Sequence, residues 1–167
     1  STTASARGPP LRPATPLTNV RAPVTSDGYT QQGASPNTNG PTQGANAVLL
    51  IELNGVNTPA STGFGVFIFA SSSQGSIVRG LVINRSKSAG IQIDASNLVI
   101  EGNFIGVDPT GMIAEDNGGY GVAIEGAFSN VLVGGTTPAA RNVISGNSQA
   151  GIELNGGTNH IVEGNLI

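Results

Sequence analysis

The chain has 167 residues, enough for one domain with its own core. Charged residues are only 10% and aromatics 4%, with 25 glycines and no cysteine, which argues against a helical bundle, a disulfide framework and thiolate chemistry. The net charge of −3 hides a gradient, from three arginines and no acid in residues 1–21 to eight acids against Arg141 alone in residues 88–167; no cluster of cations with stacking aromatics marks a nucleic-acid footprint.

Five of the ten prolines (Pro9, Pro10, Pro13, Pro16 and Pro23) fall near the start, so residues 1–22 are predicted to be an extended leader. The first ten residues contain no apolar h-region of a signal peptide. Residues 23–46 are rich in turn formers and lack apolar periodicity, which predicts an irregular segment capping the N-terminal end. From Ala47 to Ile167 the text changes to short apolar runs, among them AVLLIEL, GVFIFA, SIVRGLVI, GIQID, NLVIEGNFIG and GVAIEG. Each is bounded by Gly, Asn, Ser, Thr or Pro, and many alternate apolar with polar residues, the mark of a strand with one dry and one wet face. No run approaches the ~20 apolar residues of a membrane span.

The runs repeat. Gly90-Ile91-Gln92-Ile93, Gly121-Val122-Ala123-Ile124 and Gly151-Ile152-Glu153-Leu154 begin 31 and 30 residues apart, and a second series ends at Gly80, Gly102, Gly134 and Gly164. The second series is spaced 22, 32 and 30, and two interleaved series at similar spacing imply one unit of about three strands used about four times, an all-β solenoid over residues 47–167. Stacked copies then place Ile91, Ile93, Ile105, Val122, Ile124, Ile144, Ile152 and Leu154 in the core. The glycine opening each run is expected to supply a sharp backbone corner.

Asn103, Asn142 and Asn165 each precede an apolar pair, and an Asn stacked at one corner can bond its neighbours above and below. Glu101 and Glu163 share an outward column with Arg79 and, by the same glycine alignment, Val133; such a column is ordinarily a solvated face. The longest excursion, Gly106 to Gly121, holds Asp108, Glu115, Asp116 and Asn117. These are oxygen ligands suited to Ca²⁺, although the spacing is not an EF-hand and the same residues are ordinary turn formers. Tyr120 with Asp116 is the expected contact surface for a sugar or a neighbouring chain. His160 stands alone in a repeat strand, without the partner carboxylates a catalytic base needs.

The stretches VIEGNFIGVDPTG, NGGYGVAI, VGGTTPAARNVISGN and GIELNGGTNHIVEGNLI resemble the right-handed parallel β-helix repeats of large secreted bacterial proteins, within the pectate-lyase-like superfamily. PVTSDGYTQQGASPNTN resembles a lead-in to such repeats, except that Ser26 stands where an aliphatic residue is expected. The resemblance implies a secreted or cell-surface bacterial location and, in the enzymes of that superfamily, polysaccharide cleavage. Those hydrolases carry clustered aspartates with a His and a basic clamp, and the lyases a calcium site with an Arg or Lys base. Neither set is complete here. The expectation is therefore a structural or adhesive rod, forming fibres or filaments by end-to-end stacking, with polysaccharide cleavage or non-catalytic glycan binding as the alternative. No cofactor is required by this reading, and no membrane insertion or nucleic-acid partner is expected. The partner is a second copy or a continuation of the same solenoid, because GNLI breaks off inside a repeat.

Overall fold

The computed structural model describes residues 8–15, 17–59 and 65–167; Arg7 and Pro16 lie outside them. Among the described residues there is no α-helix, and the short β-branched runs form thirteen strands. In chain order these are β1 (Thr25–Asp27), β2 (Ile51–Asn54), β3 (Phe67–Phe69), β4 (Ile77–Arg79), β5 (Leu81–Asn84), β6 (Ile91–Ile93) and β7 (Val99–Glu101). They continue as β8 (Phe104–Ile105), β9 (Val122–Glu125), β10 (Leu132–Gly134), β11 (Val143–Ile144), β12 (Ile152–Asn155) and β13 (Ile161–Glu163).

Each strand pairs with its equivalents one unit earlier or later. Sheet 1 is β1-β4-β7-β10-β13, sheet 2 is β2-β5-β8-β11 and sheet 3 is β3-β6-β9-β12, with every named pair parallel. The chain visits the three sheets in strict rotation, so two strands of each unit form the crossover that parallel pairing requires. This is an all-β fold of stacked parallel strands, consistent with a parallel β-helix.

Period-two alternation sorts the side chains. In sheet 1 the middle residue of each strand points inward, giving the column Ser26, Val78, Ile100, Val133 and Val162. Sheet 2 contributes Leu53, Ile83, Ile105 and Ile144, and sheet 3 two columns, from Phe67 and Phe69 to Ile152 and Leu154. Ile91, Ile93, Ile105, Val122, Ile124 and Ile144 are fully buried, and truncating any of them to Ala costs about 2–5 kcal/mol. Ile152 is half-buried against this core, whereas Leu154, expected inside it, is 49% exposed. The reason is its place on β12, the outermost strand of sheet 3, which has a neighbour on one side only.

The apolar pairs after each ladder Asn divide between two cores. Ile105 and Ile144 face inward, while Phe104 and Val143 face outward with Val82 and pack on Leu49 and Val107. Two runs read as continuous, SIVRGLVI and NLVIEGNFIG, are each broken into two strands by a corner at Gly80 (φ 72°) and Gly102 (φ 62°). The glycines that open the sheet 3 strands serve another purpose than the corner expected of them. A Cβ on Gly90 would stand 2.8 Å from the Gly121 carbonyl oxygen of the next unit, so it is close stacking that keeps the side chain out.

The N-terminal third is bound more closely than its composition suggests. The Leu11 amide donates to the Glu52 carbonyl and its carbonyl accepts from Asn54, while Val20 pairs in the same way with Ile68 and Ala70. The leader thus adds single parallel bridges to the outer edges of β2 and β3. Residues 23–46, expected at the N-terminal end of the coil, supply β1 as the outermost strand of sheet 1 and then a strap along its side. The Tyr29 hydroxyl donates to the Gly102 carbonyl (2.7 Å), Asn37 to Pro138 (3.0 Å), and Arg141 to Asn39 and Gly40 (3.1 and 2.9 Å). Below the strap, Ala45, Ala47 and Leu49 cover the outward apolar face of sheet 2.

Candidate functional site

Among the described residues, asparagine columns run along three corners of the coil. Between sheets 1 and 2, Asn103 donates to Asn142 (3.2 Å) and Asn142 to Asn165 (2.8 Å), oxygen to nitrogen along the rod. The same amides serve the backbone: Asn103, Asn142 and Asn165 donate to the carbonyls of Val78, Ile100 and Val133. Leu81, which occupies the ladder position in the first unit, donates its amide to the Asn103 oxygen. A second corner carries Asn117 and Asn147, joined at 2.9 Å, with the Ser86 amide donating to Asn117. A third carries Asn97, Asn130 and Asn159, all with φ near +60°, a region that asparagine tolerates better than most residues. Sequence reasoning missed these last two columns. Their signals are a Ser/Thr-Asn pair before β7, β10 and β13 and an Asn four residues before Gly121 and Gly151.

The excursion after Gly106 does not gather its acids. Burial alone would raise the Asp108 carboxyl, but bonds from the Thr110 hydroxyl and the Ile113 and Met112 amides hold it below the ordinary carboxylate range. Glu115 forms a two-point ion pair with Arg85 (2.7 and 3.0 Å) and accepts from Asn84, while Asp116 accepts from Ser148 (2.7 Å). Each of the three carboxylates has its own partner. Among the described residues no three His, Asp or Glu side chains converge to hold a metal ion. Tyr120 is half-buried, and the neighbouring Glu153 carboxylate, with burial second, pushes its hydroxyl pKa up. His160 accepts from the Val131 amide at 3.4 Å and lies beside the Gly156 carbonyl, at the third corner.

The charged column lies on the outer face of sheet 1, and its register differs by one residue from the glycine alignment. Arg79 pairs with Glu101, but the residue opposite Glu163 is Gly134, because Val133 must face inward between Ile100 and Val162. Asp27, hidden in the segment read as irregular, completes the column as the rung before Arg79. The Arg79 guanidinium lies 2.7 Å from Asp27 and 3.5 Å from Glu101. Its hydrogen bond is the main reason that the Asp27 carboxyl titrates below its ordinary value. Beside it the Tyr29 ring packs over Gly80, and burial, reinforced by the charges of Asp27 and Glu101, pushes its hydroxyl up to about 12. Tyr29, Pro36, Arg79, Glu101, Thr137 and Ala140 line a groove between the strap and the coil. It offers an aromatic wall, a guanidinium and a loosely held carboxylate.

Searches against family models, curated proteins and solved structures find no match to this chain. Among the described residues no helix is long and apolar enough to cross a membrane.

Proposed function

We propose that the chain is a right-handed parallel β-helix of a secreted or cell-surface protein, with a structural or adhesive role exerted through end-to-end stacking of coils. The observation that carries this reading is the continuity of the three sheets, in which each strand pairs in parallel with its equivalent in the next unit and the inward apolar columns run from unit to unit. Stacked strands at ~4.8 Å per unit make a stiff rod, and an outermost strand presents an unpaired row of amides and carbonyls on which another strand can add. Sedimentation velocity and negative-stain microscopy over a range of concentrations test it. Rods that lengthen with concentration, and that are lost on Leu154→Lys, are expected. Uniform short particles at every concentration overturn it.

A second reading, glycan binding, is favoured by the groove at Tyr29. An aromatic wall beside a guanidinium and a carboxylate suits the apolar face and the hydroxyls of a sugar ring. Binding on a glycan array that is lost on Glu101→Gln supports it. New reducing or unsaturated ends after incubation with pectin, alginate or glucans would extend it to catalysis.

A further inference from the structure

The outer face of sheet 2 buries a polar pocket at its first two rungs. Glu52 and Asn54 on β2 and Asn84 on β5 turn outward, because Leu53 and Ile83, next to them in sequence, face the core. The root of the excursion closes over them with the Val107 carbonyl and the Glu115 side chain. The Asn84 amide nitrogen has two hydrogens but three acceptors around it. These are Glu115 Oε2 at 3.0 Å, Glu52 Oε1 at 3.2 Å and the Val107 carbonyl oxygen at 3.2 Å. Asn84 is 0% exposed, and its amide oxygen is buried without any donor. Glu52 is 7% exposed, accepts from the amides of Asn54 and Asn84, and among the described residues has no ion pair. Acceptors outnumber donors here, and a buried carboxylate is stable when it is paired or holds a metal ion. We propose that this pocket binds a divalent cation of the calcium class through Glu52, Glu115, the Asn84 amide oxygen and the Val107 carbonyl.

The geometry selects the ligand. The two ends of a side-chain amide differ in bonding and hardly in shape, so their orientation follows the neighbours. Half a turn of the Asn84 amide puts its oxygen where its nitrogen stands, 3.0–3.2 Å from the other three oxygens. That is close to the spacing of neighbouring oxygens around an ion with six to eight ligands at roughly 2.3–2.6 Å. Four oxygens, two of them anionic, suit a hard cation. Mg²⁺ demands near-ideal octahedral ligands at ~2.0–2.1 Å and keeps several waters, which a buried set with unequal spacings does not favour. A water donating to the Asn84 oxygen would satisfy that atom alone. It would leave three acceptors competing for two hydrogens and the Glu52 charge unpaired. Arg85, 47% exposed, is the counter-ion of Glu115 and therefore competes with the cation. Once bound, the ion ties β2, β5 and the root of the excursion together. Of the loop acids expected from the sequence to bind Ca²⁺, only Glu115 belongs to this set.

Titration calorimetry with CaCl₂ on the EDTA-treated chain, at constant ionic strength, tests the site. One Ca²⁺ per chain is expected, with a Kd of about 0.1–1 mM, the range of extracellular modules. CaCl₂ at about 10 mM is then expected to raise the thermal midpoint by several degrees, and MgCl₂ by clearly less. Glu52→Gln and Glu115→Gln should each weaken binding about tenfold or more. Arg85→Gln should strengthen it several-fold by removing the competing charge, an effect that a purely structural ion pair does not give. Asp108→Asn and Asp116→Asn should leave the affinity within about twofold. No calcium-dependent heat or midpoint shift, or an equal response to MgCl₂, overturns the proposal. Binding that survives Glu52→Gln but is lost in Asp108→Asn or Asp116→Asn also overturns it, since the ion then sits in the loop. Should Glu52→Gln not fold, the opposite effects of Glu115→Gln and Arg85→Gln decide.

Discussion

Asp108 shows how a single carboxylate can hold a turn. It is 9% exposed and accepts from the Thr110 hydroxyl and the Met112 and Ile113 amides, which fixes the hairpin that carries these residues away from the coil. Its folded pKa is depressed, so its contribution to stability is present above the unfolded value of ~3.9 and is lost as pH falls through the folded value. Asp27 behaves alike, with a smaller effect because its partner Arg79 is 41% exposed. The urea midpoint is therefore expected to be level from about pH 7 to 5 and to fall below about pH 4, and Asp108→Asn to flatten part of that fall. Asn142 makes a sharper test. It is fully buried, and its loss removes the acceptor of the Asn103 amide and a donor to the Ile100 carbonyl. Asn142→Leu is expected to cost roughly 3–5 kcal/mol in denaturant unfolding, and Asn165→Leu, half-buried at the last rung, about 1 kcal/mol. Equal costs at the two positions would contradict a ladder whose interior rungs bond on both sides.

At the scale of elements, the corner after β7 is where backbone conformation and tertiary contact make the same demand. Gly102 has φ 62°, and a Cβ there would stand 2.6 Å from the Tyr29 hydroxyl oxygen and 2.7 Å from the Ala139 carbonyl. Gly102→Ala is expected to cost about 2 kcal/mol or more, of which about 1–2 comes from the left-handed backbone alone. It should also loosen the strap, read as a change in Tyr29 fluorescence in a Tyr120→Phe background, the chain having no tryptophan. The elements themselves were legible because alternation and turn residues are local properties. The Asn103, Asn142 and Asn165 column was legible for the same reason, since each stands in a repeated context. β1 was legible only through the resemblance of its lead-in: TSD carries no apolar alternation of its own, and β4 lies alongside it. The ion pair of Asp27 with Arg79, 52 residues away in sequence, was invisible.

At the scale of the molecule, the strap joins turns of the coil that are distant in sequence. Arg141, only 7% exposed, donates to the carbonyls of Asn39 and Gly40 on the strap and of Gly164 on the coil, and among the described residues it has no ion pair. Charged hydrogen bonds of this kind are worth about 1.5–3 kcal/mol each, and here they hold one segment onto another. Arg141→Met should free residues 37–46 and raise the rate of limited proteolysis there at least several-fold, while the coil stays folded by circular dichroism. An unchanged rate would mean that the apolar contacts of Ala45, Ala47 and Leu49 hold the strap without it.

By itself the sequence determined the unit: three short strands, a period near thirty residues, inward columns of Ile, Val and Leu, and glycine and asparagine between them. These follow from side-chain alternation and turn chemistry, which operate over a few residues. Only the tertiary structure decided that the irregular segment contributes a strand and a strap, that Gly134 and not Val133 faces Glu163, and that Asp108, Glu115 and Asp116 each take a separate partner. Those outcomes depend on which units come into register. Contacts such as Asn37 with Pro138, 101 residues apart, arise only when the stacked coil brings the two surfaces together.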